Sequence, residues 1–132
     1  MRGTNRHIAC LAATNEFELD APYGGGTRGD ICFRQTTGGA VDAWVDVNRG
    51  QMICHFRNCT ISVKFDDGEV LSFRADRPSD GTSTMLFVAD AARFLEQTRA
   101  ARRIMVEAEF YRAGPQQMVF DHAEGLVWNP TL

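Results

Sequence analysis

Four cysteines carry the most distinctive chemistry in this sequence: Cys10, Cys32, Cys54 and Cys59. An even number of cysteines in a short chain is compatible with a disulfide framework and leaves three possible pairings. Cys54 and Cys59 bracket a short turn between apolar segments, where a bridge is sterically reasonable. A zinc site using Cys54, His55 and Cys59, or reduced buried thiols, are the open alternatives, although a second close pair of zinc ligands is missing. The sequence does not decide how Cys10 and Cys32 are paired.

The histidines His7, His55 and His122 are the candidate bases. A Cys–His nucleophile needs the thiol within hydrogen-bond reach of the imidazole. Cys54 and His55 are adjacent, so on a strand they point to opposite faces and cannot form this dyad. The alternative function is a hydrolase that uses Asp or Glu with His55 or His122. The leading interpretation is a protein that is not an enzyme, and for it we expect no catalytic residue.

Two loops with suggestive composition fail the tests for known ligand sites. Residues 66–69 offer carboxylates but lack the spacing of a calcium-binding loop, so a solvated hairpin turn explains them. Residues 23–29 are rich in glycine but do not join a strand to a helix, as a phosphate cradle would. We therefore expect no metal and no cofactor.

A binding surface is predicted instead from exposed aromatic residues and the longest polar loop. Trp44 is predicted to point outward from a strand and Phe56 to lie in a turn, and exposed aromatic side chains often mark interfaces. Asp76 and Asp80 flank or lie in the polar loop, and binding sites concentrate on loops of rigid scaffolds.

The composition limits the class of protein. The chain has 132 residues, 44% of them hydrophobic, which fits one domain with a sizeable core. Its formal charge of −3 offers no general attraction to nucleic acid. The apolar run at residues 8–13 is far shorter than the roughly 20 residues that cross a bilayer, so we expect no transmembrane segment.

Alternating apolar and polar residues dominate the chain and predict strands. Residues 41–47 form one such strand, and an Asp-Gly turn predicts a hairpin over residues 60–75. Turn residues predict a second hairpin over residues 104–121. Shorter strands are predicted at residues 16–19, 31–35, 52–54, 85–88 and 126–128.

One segment, residues 89–103, has helical periodicity instead. Ala91, Phe94, Leu95, Thr98 and Ala101 recur three or four apart, which predicts an amphipathic helix. A parallel sheet would need many crossover helices, so it is excluded. The fold class is therefore mainly β (α+β): an antiparallel β-sandwich or curved sheet with one amphipathic helix packed on it. We expect a disordered or weakly ordered start over residues 1–14 and a single β-rich domain over residues 15–132.

Several short segments after residue 50 carry a resemblance to known proteins. They are Gly50-Gln51-Met52-Ile53-Cys54, Cys59-Thr60-Ile61-Ser62-Val63-Lys64-Phe65-Asp66-Asp67-Gly68, Leu86-Phe87-Val88, Arg93-Phe94, Val106-Glu107-Ala108-Glu109-Phe110-Tyr111, Gly114, Phe120-Asp121 and Gly125-Leu126-Val127-Trp128. In these segments the chain resembles a group of small uncharacterised exported proteins of Gram-negative bacteria. It is similar, more loosely, to the C-terminal part of the TagO-type accessory proteins of type VI secretion.

The resemblance implies an exported β-rich domain in which Cys54 and Cys59 are bridged, and it transfers no catalytic residue. We therefore expect a periplasmic or secreted protein whose first dozen residues are a mature N-terminus, with a cytoplasmic location as the alternative. The expected function is protein–protein binding in the cell envelope, as an accessory or inhibitory factor.

Overall fold

The computed structural model describes residues 3–4, 7–19, 26–36, 38–55, 57–122, 125–126 and 128. Within them lie eleven strands and one helix, nearly all joined by short connections. The elements are β1 (Gly3–Thr4), β2 (Ile8–Ala12), β3 (Phe17–Glu18), β4 (Gly26–Thr27), β5 (Gly29–Gln35), β6 (Val41–Val47), β7 (Thr60–Phe65), β8 (Val70–Asp76), β9 (Met85–Val88), α1 (Ala91–Ala100), β10 (Arg103–Phe110) and β11 (Gly114–Asp121).

Nine strands form one antiparallel sheet in the order β1-β2-β5-β6-β9-β8-β7-β10-β11. The sheet curves so strongly that the chain after β2 reaches β11, without closing a barrel. Thr14 donates its backbone N–H to the Val119 carbonyl at 2.7 Å, and the Asn15 side chain accepts the Val119 N–H at 2.7 Å. Of the two predicted architectures, the structure is therefore the curved sheet with a helix packed on it.

The core lies on the concave side of this sheet, because alternate residues of each strand point inward. In β6, for example, Ala43, Val45 and Val47 are buried, whereas Asp42 and Trp44 are only partly buried. The two predicted hairpins are confirmed as β7–β8 and β10–β11. The predicted strand at residues 52–54 is reduced to a single bridge between Met52 and Phe110, and residues 126 and 128 lie outside the strands.

The helix is shorter than the predicted 89–103. It ends because Ala101 takes an extended conformation, with φ −99° and ψ 151°, and β10 begins at Arg103. The predicted apolar face is confirmed, since Phe94, Leu95 and Thr98 are its buried residues.

The expectation of a weakly ordered start through residue 14 does not hold for residues 8–12. They form β2, which pairs with β5 along its whole length, and Ala9, Cys10 and Leu11 are buried. The sequence shows only a short apolar run here. Pairing with β5, about 20 residues later in the chain, orders this run, and the local pattern does not reveal that pairing.

Asp66 has a structural role that the expected solvated turn did not include. It has a positive φ of 52° in the β7–β8 turn, and its Oδ1 accepts the backbone N–H groups of Arg102 and Arg103, each at 2.9 Å. The turn is thereby tied to the start of β10. The Arg103 N–H, then the Arg102 N–H, lower the pKa of the Asp66 carboxyl below its usual 3.8.

Replacing Asp66 by Asn should make the protein less sensitive to acid. A carboxyl whose pKa is lower in the folded state stabilises the fold above its unfolded pKa, and that stability is lost as the pH falls through the folded pKa. We therefore expect wild type to be more stable than Asp66→Asn at neutral pH, and the difference to narrow below pH 3.8. Thermal unfolding of both proteins from neutral pH to below pH 3.8 measures this stability difference. A difference in unfolding temperature that does not change with pH would contradict the prediction.

Candidate functional site

Both cysteine pairs form disulfides, as the even cysteine count allows. Cys54 is bonded to Cys59 with a Cα–Cα distance of 4.7 Å, which confirms the predicted bridge. Cys10 is bonded to Cys32, its direct partner across β2 and β5, with a Cα–Cα distance of 4.1 Å. The zinc and reduced-thiol alternatives are therefore wrong, because the sulfur atoms are already bonded to each other.

The Cys54–Cys59 disulfide closes a tight turn that precedes β7, and both cysteines are partly buried against the core. Within the turn, Asn58 donates its backbone N–H to the His55 carbonyl at 3.1 Å. The Cys59 carbonyl accepts the Ala75 N–H at 2.8 Å, which fixes the turn against β8. The disulfide and this hydrogen bond therefore hold the polar side chains of the turn beside the sheet.

The segment leading into this turn runs beside the end of β10. Ile53 donates its N–H to the Glu109 carbonyl at 2.8 Å, next to the Met52–Phe110 bridge. The Arg77 guanidinium donates from Nη2 to the Met52 carbonyl at 2.9 Å and so joins this segment to the chain after β8.

A groove of about 790 Å³ lies between the disulfide-closed turn and β8. Three arginines line it, Arg57, Arg74 and Arg77, and we call it the basic groove. The remaining lining residues are Cys54, His55, Asn58, Cys59, Thr60, Ala75 and Asp76. Since the whole chain has a net charge of −3, the groove reverses the overall sign of charge locally.

A row of outward-facing residues crosses the sheet next to this groove. The register sets Cys10, Cys32, Trp44, Phe87 and Asp76 side by side on successive strands, and we call them the outer row. Cys10 and Cys32 are buried, so the accessible part of the row is the partly exposed Trp44 and Phe87 and the exposed Asp76. At its centre the rings of Trp44 and Phe87 meet edge to face, with centroids 6.1 Å apart. Asp76 belongs to both the outer row and the basic groove.

Polar neighbours fix the indole of Trp44. Its Nε1 donates to Asp46 Oδ2 at 3.0 Å, and the Arg34 guanidinium carbon lies 5.6 Å from the ring centroid. Arg34 in turn pairs with Asp42 at 2.8 Å. The aromatic pair is therefore held in place on a partly exposed face of the sheet.

The structure brings together two of the four predicted surface residues, Trp44 and Asp76. Asp80 lies in the loop after β8 but does not line the groove. Its Oδ1 accepts the Thr82 hydroxyl at 2.6 Å and the Thr82 N–H at 2.9 Å, and these bonds, the hydroxyl first, lower the pKa of Asp80. Phe56 lies outside the described residues.

Sequence reasoning missed Phe87 and the arginines of the groove. Alternation in residues 85–88 could have placed Phe87 opposite the buried Leu86 and Val88. No sequence signal could have placed it beside Trp44, because strand order decides that contact. Arg74 and Arg77 are three residues apart, but Arg57 is distant from them in the chain and joins them only through the β7–β8 pairing and the disulfide.

The two histidines of the hydrolase alternative lie in different settings. His122 Nε2 is 2.7 Å from the Ala12 carbonyl oxygen, so this nitrogen acts as a hydrogen-bond donor to the backbone. His55 Nε2 is 3.8 Å from Glu109 Oε1, with both side chains more than half exposed. Within the described ranges, no group of three His, Cys, Asp or Glu side chains is arranged to hold a metal ion.

No described helix has both the length and the apolar character needed to cross a membrane. The described residues define a fold class: a disulfide-linked, curved antiparallel sheet with one helix packed on it. No family model, curated protein or solved structure matches the chain.

Proposed function

We propose that this protein is a binding domain of the bacterial cell envelope, acting as an accessory or inhibitory factor by contacting another protein through the accessible part of its outer row, Trp44, Phe87 and Asp76. The observation that carries the proposal is the Trp44–Phe87 pair, partly exposed at the centre of that row. Large aromatic residues at the centre of a surface are the side chains that most often dominate the free energy of protein association.

Contacts within the sheet position the Trp44 indole before any partner arrives. The Asp46 hydrogen bond and the Arg34 contact fix the indole, and the Cys10–Cys32 disulfide joins the neighbouring strands. Ordering of side chains opposes association, so a surface that is already ordered binds at a lower entropic cost.

The charges around the pair favour a partner segment that combines apolar and basic side chains. The outward positions of β5, β6 and β9, together with the end of β8, carry more carboxylates than guanidinium groups, and the guanidinium there is that of Arg34, which pairs with Asp42. The carboxylates are those of Asp30, Asp42, Asp46 and Asp76. Charge complementarity would orient such a partner and speed its association.

The two disulfides support a location outside the cytoplasm, because disulfides persist in oxidising compartments such as the periplasm. The resemblance to exported Gram-negative proteins, and more loosely to TagO-type accessory proteins, supports the same location. A periplasmic or secreted domain with a rigid aromatic face is consistent with a protein that regulates or assists an envelope assembly.

The substitution Trp44→Ala should abolish partner binding. Tyr111→Ala is the matched control, because Tyr111 is an exposed aromatic residue in the β10–β11 turn. Wild type and both variants are used to capture proteins from an envelope extract of the native host, and each retained protein is then purified and titrated calorimetrically. We expect one partner whose affinity falls at least tenfold with Trp44→Ala and changes less than about twofold with Tyr111→Ala.

Equal binding by wild type and Trp44→Ala would overturn the proposal, and so would the absence of any protein that binds in the purified titration. Hydrolysis of an envelope substrate that is lost on His55→Ala or His122→Ala would establish the hydrolase alternative instead. Circular dichroism of each variant confirms that the fold is retained.

A further inference from the structure

We infer that the basic groove is a separate binding site for a small anionic ligand that carries carboxylate or phosphate groups. The groove holds Arg57, Arg74 and Arg77 in a chain whose net charge is negative. This inference does not depend on the proposed protein partner, whose contact surface centres on Trp44 and Phe87.

Two of the three guanidinium groups are available to a ligand. Among the described residues, the Arg57 and Arg74 side chains have neither a hydrogen bond nor an ion pair. A guanidinium presents a planar fork of N–H donors that matches the oxygen atoms of a carboxylate or a phosphate. Both side chains are exposed, so they can turn toward a ligand without breaking an existing contact.

The third guanidinium and the groove wall are fixed. Arg77 donates to the Met52 carbonyl at 2.9 Å and to the Thr82 carbonyl at 3.4 Å, so its positive charge is held at the groove. Arg57 lies on the turn closed by the Cys54–Cys59 disulfide, and Arg74 is the cross-strand partner of Thr60. A site on a rigid frame binds an anion without first ordering the backbone.

The size and polarity of the groove favour a compact anion. Its volume of about 790 Å³ is within the range of small-molecule sites, roughly 300–1,000 Å³. The lining includes Asn58 and Thr60, which can bond to the oxygen atoms of a polar ligand. A long polyanion would also meet the surrounding acidic surface, so a small ligand with several oxyanion groups fits better than a nucleic acid.

NMR titration of the folded, oxidised protein tests this inference with two probes, citrate for carboxylates and pyrophosphate for phosphates. We expect saturable shifts of the backbone amides of residues 57–60 and 74–77. The double substitution Arg57→Ala/Arg74→Ala should weaken the affinity for the better probe at least tenfold, because both available guanidinium groups are removed. Arg112→Ala, an exposed arginine in the β10–β11 turn, is the matched control and should change it less than twofold.

The stronger probe identifies whether carboxylate or phosphate is the preferred group. The inference is overturned if neither probe gives saturable shifts at these amides, or if Arg112→Ala weakens binding as much as the double variant does. The Trp44→Ala variant should bind the same probe with unchanged affinity, so failure of the groove site and failure of the proposed partner surface are distinguished.

Discussion

Replacing Phe94 by Ala should lower the free energy of unfolding by about 3–5 kcal/mol. Phe94 is fully buried, and its ring meets Phe33, Phe65 and Phe73 with centroid distances of 5.6, 6.1 and 5.2 Å. Phe65 and Phe73 belong to the neighbouring strands β7 and β8, whereas Phe33 belongs to β5, which β6 and β9 separate from them in the sheet order. One helical side chain therefore fills the space between both halves of the curved sheet, and its removal leaves a cavity that the strands cannot easily close.

Urea unfolding followed by tryptophan fluorescence and circular dichroism measures this loss. Glu96→Ala is the control, because Glu96 lies on the same helix with an exposed side chain. The control should change the free energy of unfolding by less than about 0.5 kcal/mol. A loss below about 1 kcal/mol for Phe94→Ala would mean that the helix is not anchored through this ring.

Removing the Cys10–Cys32 disulfide should destabilise the protein more than removing Cys54–Cys59. The first bridge spans 22 residues and the second spans 5. Restricting the unfolded chain in these loops stabilises the folded state by about 3 and about 2 kcal/mol respectively. Cys10 and Cys32 are also buried, whereas Cys54 and Cys59 are partly exposed. Lost packing therefore adds to the destabilisation expected when the Cys10–Cys32 bridge is removed.

The paired variants Cys10→Ala/Cys32→Ala and Cys54→Ala/Cys59→Ala serve as each other's control in the same urea experiment. Mass measurement after alkylation without reductant should find no modified cysteine in oxidised wild type. A larger loss from the Cys54–Cys59 pair would contradict the expected order, and free alkylation of either pair in wild type would contradict the disulfide itself.

The sequence predicted those features that depend on neighbouring residues. Val41–Val47 is a strand because its apolar residues alternate, and the β7–β8 hairpin follows from the Asp-Gly turn. The inward face of α1 follows from the spacing of Phe94, Leu95 and Thr98. The bridge across the turn at Cys54 and Cys59 depends on a separation of 5 residues, so local spacing made it a reasonable pairing.

Features that depend on strand order could not be predicted in this way. A period of two does not specify which strand lies beside which, because every alternating strand presents an equally suitable face. The Cys10–Cys32 pairing, the order of residues 8–12 and the approach of Thr14 to Val119 all follow from β2 lying between β1 and β5 at one end of a curved sheet.

By itself, then, the sequence predicted a mainly antiparallel β fold with one helix, favoured a bridge between Cys54 and Cys59 over the alternatives, and placed Trp44 on an outward position. The tertiary structure alone decided that Trp44 meets Phe87 and that Arg57, Arg74 and Arg77 share one groove. Short-range periodicity fixes which way a side chain points, whereas its neighbours across the sheet depend on long-range pairing and curvature, which the burial of the whole core selects.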